Sequence, residues 1–338
     1  MKKNFTNMTL KELEIFFENI GEKKFRAKQV FKWMYSGVSS FEEMTDLSKQ
    51  LREKLDQVAE IGSLKMVKVL SSETDYTKKY LFELSDGNSI ETVFMKYKFG
   101  NSICISSQAG CRMGCSFCAS GIGGLSRNLT GGEMIGQILA VEKHVEEKIT
   151  NIVVMGTGEP FDNYHNLSQF IELVNSKDGL NVGMRNITVS TCGVVPMIGQ
   201  FGRDFPQVNL AISLHAPNDE IRKKIMPINN SYPMDVLLNA CRIHVEKTGR
   251  RITFEYALMK GINDSMTHSD QLSDKLRGTL CHVNLITLNK VEETGLKGTD
   301  RETAEKFKAQ LEKRGIPTTI RRELGTDISA ACGQLRLS

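Results

Sequence analysis

The chain has 338 residues, 40% of them hydrophobic and 25% charged, with a net charge of +4. That length accommodates one large core and a smaller domain, and the slight basic excess admits an anionic partner without demanding one. No run nears the ~18 apolar residues that cross a bilayer, no apolar stretch follows Met1-Lys2-Lys3, and the eight cysteines are therefore expected to be reduced thiols of a cytoplasmic protein with no membrane association.

Residues 9 to about 60 read as helical. Thr9 and Glu12 have capping-box spacing ahead of Leu13, Phe16 and Phe17, and Gly21 closes that helix. A second helix is predicted over 24–35, stopping at Gly37, and a third from Ser48. Lys23, Lys24, Arg26, Lys28 and Lys32 interleave with Phe25, Phe31 and Trp33. Such a helix either grips phosphates and stacks on bases or is amphipathic with a solvated charged side. Short β-rich runs follow at 66–70, 79–84 and 90–95, with Asp86-Gly87 as a tight-hairpin signal between the last two. A further strand carries Ile103-Cys104-Ile105, which turns Cys104 to the side opposite its two neighbours. Beyond it, strands at 151–155, 186–190, 208–214, 252–257, 282–288 and 318–322 alternate with helices such as 132–147, 234–247 and 301–313. This alternation predicts an α/β fold with a parallel sheet, a full or partial (β/α) barrel whose chemistry gathers at the C-terminal strand ends.

Cys111-Arg112-Met113-Gly114-Cys115-Ser116-Phe117-Cys118 places three thiols in one glycine-bearing loop after a strand. A structural zinc site needs four ligands, and no nearby Cys or His supplies the fourth. An iron–sulfur cube held by three thiolates keeps one iron open, so the spacing suits a catalytic cluster better than a closed site. C-x3-C-x2-C resembles the signature of the radical S-adenosylmethionine (SAM) superfamily, in which the amino and carboxylate groups of SAM bind the open iron.

Three further segments narrow the resemblance: 104–111 leading into the motif, Gly158-Glu159-Pro160, and Asp327-Ile328-Ser329-Ala330-Ala331-Cys332-Gly333-Gln334-Leu335. Together they resemble the dual-specificity adenine-C2 RNA methyltransferase family usually called RlmN, along nearly the whole chain. The resemblance implies a partial radical SAM barrel at 97–338 with a C-terminal cysteine loop. It also implies a helical RNA-binding accessory domain at 1–62 and a β-hairpin linker at 63–96. Cys111, Cys115 and Cys118 would hold a [4Fe–4S] cluster, and Gly158, Glu159, Ser190, Ser213, Leu214, His215 and Asn289 would contact SAM. Two departures from the family pattern stand out: Thr157 where Met is common, and Thr287-Leu288-Asn289-Lys290 in place of Pro-x-Asn-Pro.

Carbon 2 of adenine is electron-poor, so direct displacement from SAM is a poor route, whereas a thiolate attacks SAM readily. By resemblance, Cys332 takes a methyl from one SAM, a second SAM yields the radical that removes a hydrogen from that methyl, and the carbon adds to the base. Cys104 then resolves the adduct as a disulfide, and Glu91 or Cys104 accepts the carbon-2 proton. The implied substrates are 23S rRNA near the peptidyl-transferase centre and tRNA at the adenosine 3′ of the anticodon. A flavodoxin or ferredoxin would donate electrons to a monomeric enzyme, and Arg321 and Arg322 would guide the RNA. The competing readings are a related adenine-C8 methyltransferase, which Pro160 disfavours, and a non-catalytic Fe–S or zinc RNA-binding protein.

Overall fold

The computed structural model describes residues 2–289, 294–331 and 333–335; Cys332 and Lys290 lie outside the described residues. Strand β1 (Lys3–Asn4) pairs in parallel with β2 (Ala59–Glu60), drawing together the two ends of a helical segment. That segment holds α1 (Leu10–Asn19), α2 (Lys24–Tyr35) and α3 (Lys49–Val58). The capping box forms as its spacing predicts: the Thr9 side chain accepts from Glu12 N, and the Glu12 carboxylate accepts from Thr9 N at 2.7 Å. Ser48 caps α3 by accepting from Leu51 N.

At Phe31 the amphipathic reading of α2 is the one that forms. Phe31 is fully buried in the core, its ring 4.8 Å from that of Tyr35, and Trp33 is half-buried with Nε1 donating to Asp46. Of the interleaved aromatics only Phe25 stays exposed, with the Arg26 guanidinium 4.8 Å from its ring centre. An amphipathic helix of 3.6-residue period turns position 31 inward along with Ala27 and Met34.

The main sheet begins with the antiparallel strands β3 (Lys65–Ser71), β4 (Lys78–Glu83) and β5 (Ser89–Tyr97). The turn at Asp86-Gly87 is a three-residue loop closed by Leu84 N donating to Asn88 O, with Gly87 at φ +83° in the left-handed conformation that such loops require. β6 (Gly100–Ile105) is antiparallel to β5; β7 (Gln108–Gly110) and β8 (Leu125–Asn128) then form a small separate hairpin. From there β9 (Asn151–Val154), β10 (Ile187–Thr191), β11 (Asn209–Ser213), β12 (Ile252–Leu258), β13 (Cys281–Thr287) and β14 (Thr318–Ile320) continue β6 in parallel. Helices α4 (Gly131–Val145), α5 (Tyr164–Asn175), α6 (Val195–Asp204), α7 (Asp219–Ile225), α8 (Met234–Thr248), α9 (Met266–Leu276) and α10 (Arg301–Lys313) fill the connections. The ten-stranded order runs from β14 through β9, β6 and β5 to β3, and its two edge strands are not paired with each other. Of the two barrels the alternation allows, the partial one forms.

The parallel strands alternate sharply. Ile152, Val154, Ile187, Val189, Leu210, Ile212, Phe254, Tyr256, Val283 and Leu285 belong to the main hydrophobic cluster. The intervening positions, among them Ser190, Ser213 and Glu255, line cavities on the other face. Parallel strands covered on both faces read as continuous apolar runs; this sheet has one dry face under helices and one polar inner face.

Arg222 of α7 is fully buried and ties two strand ends together. Its Nη2 donates to Cys192 O at 2.7 Å and Ser213 O at 3.3 Å, its Nε to Leu214 O at 3.2 Å, and its Nη1 to Asn229 Oδ1 at 3.1 Å. Arg222→Leu leaves these buried acceptors without a donor. It is expected to lower folding stability by roughly 3–5 kcal/mol, as loss of a buried charged donor does. A denaturant midpoint equal to that of the unmutated chain would show that water replaces the guanidinium.

Candidate active site

The hairpin of β7 and β8 brackets the loop bearing Cys111, Cys115 and Cys118. Gly110 closes it: φ is +78°, and a Cβ there would stand 2.0 Å from Gly124 O, where only glycine fits. Cys111 N donates to Gly124 O at 2.9 Å, and Ser116 N to Ile225 O at 2.9 Å. Burial pushes the Cys111 thiol up to about 11 and raises Cys115 further, with the neighbouring thiols adding to the shift. All three cysteines line one cavity of about 1000 Å³ at the C-terminal ends of the parallel strands.

Gly158 and Glu159 line the same cavity. Gly158 adopts φ +113°, and a Cβ on it would meet Gln108 Cβ at 2.7 Å. The buried Glu159 carboxylate accepts from Phe161 N at 2.9 Å and Cys192 N at 2.7 Å, while its own N donates to Gln108 Oε1 at 2.8 Å. Burial raises its pKa and these hydrogen bonds oppose the rise. Ser190 and Ser213 approach with their Oγ atoms 3.4 Å apart, and Asn289 also lines the cavity. Leu214, expected among the SAM contacts, differs from its neighbours Ser213 and His215 in where its side chain goes. Its side chain lies in the main hydrophobic cluster and is not part of the cavity wall. Its N donates to Glu255 O and its carbonyl accepts from Arg222 Nε.

His215 lines the cavity at a left-handed φ of +54°, a conformation costing a non-glycine residue about 1–3 kcal/mol. Three hydrogen bonds hold it there: Ala257 N donates to Nδ1 at 2.9 Å, Asn263 Nδ2 donates to its carbonyl at 2.8 Å, and its N donates to Glu255 O at 3.2 Å. Because Nδ1 accepts, the proton of the neutral ring sits on Nε2.

Sequence reading missed Cys192 and Glu255, and placed Arg321 only as an RNA guide; all three line the cavity. Glu255 carried a legible signal, a lone carboxylate within an apolar strand. Asn284 Nδ2 donates to its Oε2 at 2.9 Å, burial raises its pKa, and the Arg321 charge opposes the rise. Cys192 had no local signal. Its thiol is raised by burial and by the charge of Glu159, to which it also hydrogen-bonds.

A second cavity, of about 570 Å³, holds Cys104. Val93 lies opposite Cys104 across β5 and β6, and Met155, Asn289 and Arg321 line both cavities. Glu91, on the same face of β5 as Val93, is buried rather than turned to solvent, with Lys79 Nζ 3.0 Å from its carboxylate. The Lys79 ammonium also donates to Ser329 O at 3.2 Å. The turn joining β3 and β4 completes the grip: Ser72 Oγ and Glu73 N donate to the Asp327 carboxylate at 2.9 Å each, and Gly325 N donates to Asp75 Oδ2 at 3.0 Å. On the other flank, Ala119 N donates to Gly333 O at 2.8 Å and Ser120 Oγ to Leu335 O at 2.9 Å. The chain on both sides of position 332 is thus anchored, once to the hairpin and once to the cysteine loop.

The donor set fits an iron–sulfur cluster. Three separate thiols on one wall match a polynuclear centre with one thiolate per iron. The Glu159 carboxylate beside them matches the ammonium of SAM.

Residues 105–270 match the family model of the radical SAM superfamily, and residues 3–61 match that of the ribosomal RNA large subunit methyltransferase N-terminal domain. A relative from Thermoanaerobacter sp. (strain X514), named probable dual-specificity RNA methyltransferase RlmN, is 54% identical over 334 residues, covering 98% of this chain and 97% of that protein. The chain belongs to the RlmN family. A Clostridium novyi (strain NT) protein of the same name is 52% identical across 99% of this chain and 98% of its own length. The crystal structure of a radical SAM methyltransferase from Sphaerobacter thermophilus superimposes with a TM-score of 0.95 at 44% identity, covering 99% of each chain. An RlmN-family chain is a radical SAM methyltransferase, with SAM and a [4Fe–4S] cluster as its cofactors. Among its described residues no helix is long and apolar enough to cross a membrane.

Burial, reinforced by the Arg222 charge, lowers the His215 pKa from 6.5 to about 3. The unfolded chain takes up a proton as pH falls through 6.5, and the folded chain does not do so until near 3. Stability linked to His215 is therefore complete above pH 6.5 and lost progressively as pH falls between those values. His215→Gln is expected to reduce the acid slope of denaturant stability by up to one proton; an unchanged slope would show that His215 titrates normally.

Proposed function

We propose that this chain methylates carbon 2 of adenosine in RNA, acting on 23S rRNA near the peptidyl-transferase centre and on tRNA at the adenosine 3′ of the anticodon. The observation that carries this reading is the shared wall of Met155, Asn289 and Arg321, which sets the cavity of the cluster thiols beside that of Cys104. One compartment suits SAM and the other suits a splayed-out base, which a target inside structured RNA must become. The Thermoanaerobacter and Clostridium novyi relatives, each named a probable dual-specificity RNA methyltransferase, support the substrate class.

Cys111, Cys115 and Cys118 would hold the [4Fe–4S] cluster, which would supply the electron for cleavage of SAM. Glu159 binds the SAM ammonium, assisted by the turn at Gly158, and Ser190, Ser213, His215 and Asn289 surround the rest of the molecule. Cys332 first takes a methyl group from one SAM; a second SAM provides the adenosyl radical that removes a hydrogen from that methyl. The carbon radical then adds to carbon 2 of the base, and the unpaired electron of the adduct would return to the cluster as the carbon-2 proton leaves. Glu91, buried at the Cys104 face beside Lys79, accepts the carbon-2 proton, with Cys104 the other group of that face able to do so. Cys104 attacks the Cys332 sulfur and forms a disulfide, and the departing carbon takes up a proton to complete the methyl group of the freed base. Residues 1–62 serve as the RNA-binding accessory domain, 63–96 as the hairpin that seats the carrier loop, and 97–338 as the catalytic core. A flavodoxin or ferredoxin delivers electrons to a cytoplasmic monomer.

Mass spectrometry of rRNA and tRNA nucleosides from cells with and without this chain tests the reaction; finding 8-methyladenosine instead of 2-methyladenosine would overturn the C2 assignment. Cys332→Ala is expected to abolish RNA methylation by the reconstituted enzyme. Cys104→Ala is expected to accumulate protein-crosslinked RNA on a denaturing gel, and a Cys104→Ala enzyme that turns over normally would refute the resolving role.

A further inference from the structure

We propose that a third cavity, at the N-terminal ends of β6, β9, β10 and β11, is a stacking site for a single-stranded nucleotide of the RNA next to the adenosine that reacts. The inference rests on the RNA reading above and assigns to it a site outside the reaction chamber. The cavity measures about 600 Å³ and includes Ser102, Asn209, Arg185 and Arg321 in its lining. Tyr97 and Phe99, at the turn from β5 into β6, stand at its edge with their rings stacked, centroids 4.8 Å apart and planes 13° apart. Phe99 is 73% exposed, so the stack ends in water with one ring face uncovered.

The chemistry of the lining selects the occupant. Among the described residues no carboxylate lines the cavity, while two guanidiniums do. The Arg185 guanidinium is exposed and has no hydrogen-bond or ion-pair partner among the described residues. A third guanidinium stands behind: Arg250 Nη2 donates to Asn209 Oδ1 at 2.5 Å. Flat rings beside cationic and hydroxyl groups, free of negative charge, match a nucleobase with its phosphate. Single-stranded nucleic acids are held by stacking on aromatic rings and by cations along the backbone.

Position ties this nucleotide to the reaction. Met95, Tyr97 and Arg321 line both this cavity and that of Cys104. A base drawn out to reach Cys104 leaves its neighbour without a stacking partner. The ring pair offers a replacement at the adjoining opening, and Arg185 lies where the connecting phosphate passes.

The test uses the full-length, cluster-loaded enzyme with a tRNA anticodon stem-loop as the probe. Phe99→Ala is expected to raise KM and Kd for this RNA about tenfold, within the range measured for loss of one stacking ring. Phe99→Trp is expected to restore both, which a merely structural role of Phe99 would not predict. Arg185→Ala is expected to weaken binding and reduce the salt slope of Kd by about one. The kcat of all three variants should change less than twofold, and 5′-deoxyadenosine release without RNA should be unchanged. Unmutated enzyme that methylates the RNA while Phe99→Ala and Arg185→Ala match it in KM and Kd refutes the stacking site alone. A fall in kcat at constant KM also refutes it. Unmutated enzyme that neither binds nor methylates RNA refutes the RNA reading, and the site with it.

Discussion

A parallel sheet normally buries both faces, and its strands then lose the alternation of polar and apolar residues. Here that alternation survives along seven parallel-paired strands, and the consequences reach every part of the molecule. One face, of Ile152, Val189, Ile212, Phe254 and Val283, packs against the helices and supplies the core. The other stays polar because it serves as the floor of three cavities. The order from β14 to β3 remains open at both edges. The opening gives a macromolecular substrate access that a packed barrel core would deny.

The reaction chamber stands on a few buried polar side chains that act on strand ends rather than on ligands. Arg222 holds carbonyls at the ends of β10 and β11, and on the far side Gln137 joins the end of β6 to the Thr92 hydroxyl of β5. Its Oε1 accepts from Thr92 Oγ1 at 2.7 Å and Ser106 N at 2.9 Å, and its Nε2 donates to Ser106 O at 2.9 Å. His215 is kept in a left-handed conformation by bonds from β12 and Asn263. Buried groups that satisfy one another in this way fix a single geometry, since each alternative leaves a donor or acceptor without a partner.

The antiparallel hairpin is more than an edge to the sheet. Through Lys79, Asp75 and Ser72 it grips residues 325–329, and through Lys79 it also touches Glu91. The cysteine loop grips Gly333 and Leu335 from the other side. The segment around position 332 is therefore seated between the element that carries the cluster thiols and the element that carries a candidate base.

Much was legible in the sequence because it depends on residues close together along the chain. Three thiols within eight positions, a capping box at Thr9 and Glu12, and the period of two in each strand are local patterns, and the structure carries each of them. Local pattern could not decide whether the barrel closes, because closure depends on pairing between edge strands some 250 residues apart. Nor could it show that Cys192, Glu255 and Arg321 share a wall with Cys115, that Phe31 turns inward, or that Leu214 leaves the cavity. Those outcomes follow from strand register and helix rotation, which are set by packing against partners distant in sequence. Short-range periodicity determined what each element would be, and long-range contacts determined which side chains would meet.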